Sequence, residues 1–119
     1  MTAGLVSVSF RGLSPSEVIR AAREAALTGI EWGADVHVPA GDVSAAKRVG
    51  GETRAVGLRV LAYGSYYKPG VSPAEEFDGV LASAVALRAP VIRVWAGNKG
   101  SASATAEAWR RTAEDAARI

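Results

Sequence analysis

The chain has 119 residues, 49% of them hydrophobic, a net charge of +2 and no cysteine. This is enough for one globular domain, and it excludes disulfides and thiolate metal sites. Basic residues alternate with acidic ones, as in Arg20, Arg23 and Glu24 or Arg110, Arg111 and Glu114. That pattern reads as solvated helix faces and sets aside a nucleic-acid partner. There is no basic leader with an apolar core and no apolar run near ~18 residues, so no membrane association and a cytoplasmic location are expected.

In chain order, Leu5–Phe10 (LVSVSF) alternates apolar and polar residues and predicts a first strand. Ser14, Pro15 and Glu17 then form a capping box with proline at the first helical position. The helix they open carries Val18, Ala22, Ala25 and Ala26 at helical spacing and is expected to end at Gly29. IEWGAD predicts the second strand. Asp42 can cap a second helix, which Gly50 and Gly51 weaken by up to ~1 kcal/mol each. Leu58–Tyr67 (LRVLAYGSYY) predicts a third strand, and Ser72, Pro73 and Glu75 repeat the capping box. The next helix places Phe77, Leu81, Ala84 and Arg88 on one stripe. Val91–Gly97 (VIRVWAG) is the fourth strand, and a last helix puts Trp109, Ala113, Ala116 and Ala117 on one face.

Alternating strands and helices imply parallel pairing through right-handed crossovers, in an open doubly wound sheet or a closed barrel. The strands are apolar on one face only; the other carries Ser7, Ser9, Glu31, Arg59, Tyr63, Arg93 and Trp95. No G-x-G-x-x-G or P-loop pattern follows a strand. The expected fold is therefore α/β: residues 1–119 as a single (βα)4 half of a TIM barrel, with parallel strands and helices on the outer face. A complete barrel needs roughly 250 residues.

In such a fold, function lies on the loops after the strands. These loops hold Phe10, Trp32, His37, Tyr63, Trp95 and Asn98, the candidate substrate-binding residues. Aromatic faces beside hydrogen-bonding groups suit a polyhydroxylated ligand, although Trp32 and Trp95 also suit ordinary packing. His37 is the only histidine, so it is a weak metal signal. Asp35 can orient its ring or cap the turn. Glu31 and Arg93 sit mid-strand on alternate strands, which predicts a structural ion pair ahead of a catalytic carboxylate. GNKG (97–100) has the makings of an anion nest, with Lys99 at hand.

The stretches TGIEWGADVHVPAGD and APVIRVWAGNKGSAS, with the tyrosine ending the third strand, resemble the sugar phosphate isomerase/epimerase superfamily. This is the xylose isomerase-like TIM-barrel group, and the resemblance covers the chain as the first half of such a protein. It implies an isomerase or epimerase of a small sugar, sugar phosphate or inosose-like polyol working through an enediolate. It also implies a divalent metal (Mn, Mg, Co or Zn) held by later strands. The positions matching the family's metal ligands are absent, so no catalytic residue and no metal site are expected of this chain by itself. The alternatives are a non-catalytic sugar-binding half-barrel and an inactive fragment. Unpaired edges on the first and fourth strands predict a homodimer or a missing C-terminal half as partner.

Overall fold

The computed structural model describes residues 3–119. Its strands are β1 (Gly4–Val6), β2 (Gly29–Gly33), β3 (Arg59–Gly64) and β4 (Ile92–Arg93); its helices are α1 (Pro15–Glu24), α2 (Val43–Ala55), α3 (Glu76–Leu87) and α4 (Ala106–Arg118). All pairings are parallel, in the order β1-β2-β3-β4. The chain is an α/β protein with a four-stranded, all-parallel sheet.

Helices α1, α2 and α3 cover one face of this sheet. Ile30, Trp32, Val60 and Tyr63 point into that layer and meet Val18 and Ala22 of α1, Ala46 and Val49 of α2, and Val80, Ala84 and Leu87 of α3. Trp32 can be fully buried because its indole N–H donates to Thr53 Oγ1 at 3.1 Å, and that hydroxyl donates to Val49 O at 2.7 Å. On the opposite face Val6, Leu61, Ala62 and Arg93 remain partly or well exposed. Among the described residues no helix covers them.

The first capping box forms as expected. Ser14 Oγ accepts from Glu17 N, and Glu17 Oε2 accepts from Ser14 N at 2.8 Å. The helix ends earlier than Gly29, however, at Glu24, and Ala26 takes the left-handed conformation (φ 53°) usually given to glycine. Gly29 serves the sheet instead, since a Cβ there would lie 2.6 Å from Arg59 O. Asp42 caps α2 through Ala45 N at 2.9 Å.

Several expected bounds shift. The first strand stops at Val6 and continues as a 3-10 turn, Ser7–Phe10. The fourth strand shrinks to two residues. The second capping box does not form, because Ser72 Oγ accepts from Lys68 N in a tight turn and α3 starts at Glu76 with no side-chain cap. In β3 the register jumps between Val60 and Ala62, so Leu61 is a bulge. Strict alternation from Arg59 puts Tyr63 on the polar face; the extra residue turns it to the helix face.

Helix α4 departs most from expectation. None of its residues is buried, and Trp109 is 51% exposed. Polar contacts hold it instead: Asp115 Oδ2 accepts from Tyr67 OH at 2.7 Å and from Gly70 N at 2.9 Å. Among the described residues no helix is long and apolar enough to cross a membrane.

Candidate functional site on the open face

Two glycines pair at the C-terminal ends of β2 and β3, Gly33 with Gly64, and both face away from the helices. Their missing side chains let charged groups lie flat against the sheet. A Cβ on Gly64 would stand 2.6 Å from Glu31 Oε1 and 2.7 Å from Arg93 Nη2, and one on Gly33 would meet a Val8 methyl first and then Asp35 Oδ1 at 3.0 Å.

The expected Glu31–Arg93 pair is present, with Arg93 Nε donating to Glu31 Oε1 at 2.8 Å. The Glu31 side chain is only 18% exposed, so the arginine supplies a partner that a shielded carboxylate requires. The Arg93 guanidinium also lies 5.8 Å from the Trp95 ring centroid, within cation–π reach.

Beside this pair is a second cluster. Arg11 donates to Asp35 Oδ2 through Nε and to Tyr66 OH through Nη2, both at 2.5 Å. Tyr66 OH donates in turn to Asp35 Oδ2 at 3.1 Å. Burial on its own would raise the Asp35 carboxyl; the bonds from Arg11, the Val36 backbone N–H and Tyr66, in that order, outweigh it and hold it below the usual carboxylate range. Sequence reasoning selects neither Arg11 nor Tyr66: Arg11 directly follows the expected first strand, which was an available signal, whereas Tyr66 falls inside the expected third strand, which in fact stops at Gly64.

The six expected ligand contacts do not come together. Trp32 is in the helix-side core. Tyr63 is also fully buried there, donates to Val38 O at 2.8 Å, and has its hydroxyl pushed up to about 12 by desolvation. His37 is 3% exposed and packs edge-on to Trp32. Its Nε2 lies 3.0 Å from Leu13 O, which can only accept, so Nε2 carries the proton. Nδ1 is then the acceptor for Ser7 Oγ, also at 3.0 Å, and Ser7 Oγ accepts from Gly33 N. This relay pins the loop after β2 to the turn after β1; of the two readings of Asp35, the ring-orienting one is not realised, because Ser7 holds that nitrogen. Phe10 and Trp95 remain well exposed, but they follow strands at opposite edges of the sheet. Asn98 lines a separate cavity against α4.

Among the described residues no group of three or more His, Asp or Glu side chains gathers as a metal site needs. Glu31 and Asp35 are each engaged by an arginine, and both His37 nitrogens are engaged by the protein. This donor set does not fit a divalent cation. Comparison of the chain with protein-family models and with curated proteins returns no match.

Proposed function

We propose that this chain is the ligand-binding half of a (βα)8-type barrel acting on a small sugar, sugar phosphate or inosose-like polyol. In this reading, isomerase or epimerase chemistry belongs to the closed assembly, formed with a second copy or a further (βα)4 segment. One observation carries the reading: two charged pairs lie against glycines at the C-terminal strand ends, one with Trp95 beside its arginine and the other with Tyr66 bonded into it, on the face that the helices leave open. The guanidinium N–H groups of Arg11 and Arg93 beyond those already donated to Asp35, Tyr66, Val8 and Glu31 would donate to ligand hydroxyls. The Trp95 face would take the C–H side of the ring.

A non-catalytic sugar-binding half-barrel is the second reading. It is favoured by Asp35, because a carboxylate held ionised by Arg11 is a weak proton acceptor at neutral pH. Titration with glucose, fructose and myo-inositol, followed by amide and indole NMR, tests binding. Saturable shifts at Trp95 and Arg93, weakened by Trp95→Ala, are expected; open-face resonances that stay still for every compound would defeat the proposal. Deuterium uptake from D2O beside the sugar carbonyl separates an enzyme from a binding module.

A further inference from the structure

Helix α4 is fastened to the body at two points where only glycine fits. A Cβ on Gly70 (φ 76°) would stand 2.8 Å from Thr112 N, and one on Gly97 (φ 73°) would stand 3.3 Å from Thr112 Oγ1. Between the anchored helix and loop 97–100 lies a cavity of about 340 Å³, the size of a small-molecule site. Its polar and aromatic lining is Asn98, Lys99, Thr105, Trp109, Arg111 and Thr112. Two of these are cations and none is a carboxylate. The Arg111 guanidinium has Glu107 at 4.0 Å, the outer limit of an ion pair, with both side chains at least 60% exposed. Such a pair is weak and yields readily to a better anion.

We propose that this cavity binds the phosphate group of a small phosphate monoester. Phosphate brings up to two negative charges at neutral pH and several acceptor oxygens. Lys99 would meet it as a point charge, Arg111 through its planar fork, and the Thr112 and Asn98 side chains as neutral donors. Trp109, half exposed on the same wall, offers a flat apolar surface to the carbon skeleton of the ester. A carboxylate, planar and singly charged, would engage fewer of these groups. The proposal is independent of what the open face binds.

The test is an NMR titration of the full chain at constant ionic strength with inorganic phosphate, glucose 6-phosphate and glucose. Both phosphates should shift the Trp109 indole and the Lys99 and Thr112 amides saturably, and glucose should not. Lys99→Ala and Arg111→Ala should each weaken binding about tenfold or more. The exposed Lys47→Ala, on α2, should leave it unchanged. Trp109→Ala should weaken glucose 6-phosphate and spare inorganic phosphate. No saturation by ~10 mM phosphate, equal shifts with glucose, or equal weakening by Lys47→Ala would overturn the assignment.

Discussion

Gly50 and Gly51 are neighbours in α2, and helix propensity treats them alike, with alanine better at either by up to ~1 kcal/mol. Their surroundings separate them. Gly51 is exposed and a Cβ there meets nothing within 4 Å, so Gly51→Ala should stabilise by about 0.5–1 kcal/mol. A Cβ on Gly50 would stand 2.7 Å from Leu87 O and 3.2 Å from both terminal Arg54 nitrogens. Arg54 can swing aside, but doing so breaks its 2.9 Å bond to that same carbonyl, worth ~1 kcal/mol. Leu87 O belongs to the last turn of α3, so reaching ordinary contact means moving one helix from the other by several tenths of an ångström. Overpacking of this kind costs ~1–3 kcal/mol. After the propensity gain, Gly50→Ala should be destabilised by about 1–3 kcal/mol. In a chain of this size that lowers Tm by roughly 4–12 °C, while Gly51→Ala raises it by roughly 2–4 °C. Thermal and urea unfolding followed by circular dichroism would measure both. If both substitutions stabilise, the close approach of α2 to α3 is wrong.

The remaining predictions concern charged groups. Arg93→Met should cost ~1–3 kcal/mol, between the exposed and buried limits, because it leaves Glu31 shielded and unpaired. Adding Glu31→Gln should recover much of that, and a double-mutant cycle with no coupling would refute the pairing. Asp115 is held below the usual carboxylate range, chiefly by the Gly70 N–H and then by the Tyr67 hydroxyl. Its folded state therefore takes up a proton less readily than the unfolded chain does. The stability it contributes is present above the ordinary value of 3.8 and is lost as pH falls through the lower folded value. Acidification from about pH 5 to about pH 2 should release α4, visible in Trp109 fluorescence, and Asp115→Asn should show the released signal already at pH 7. Superimposable emission from the two proteins across that range would contradict the anchoring role.

The sequence by itself determined the order of elements, the parallel sheet and the side of it that the helices cover. Those features follow from local periodicity and caps, such as Val18 and Ala22 one turn apart behind the Ser14–Glu17 box. The Glu31–Arg93 pair was legible too, because two opposite charges mid-strand on the polar face of alternate strands meet in one layer. Tertiary structure decided which aromatic residues stay exposed and which enter the helix-side core. One bulged residue, Leu61, reverses Tyr63, and period-two reasoning has no means of anticipating an inserted residue. His37 reads the same in sequence whether it faces a pocket or a carbonyl; only the approach of Leu13 and Ser7, 24 and 30 residues away, assigns both nitrogens. Helix α4 shows the same limit, since its apolar stripe predicts a buried face, whereas polar contacts from Tyr67 and Gly70, more than forty residues earlier, place it. Local pattern specifies which face of an element is apolar, and contacts between distant segments decide what that face meets.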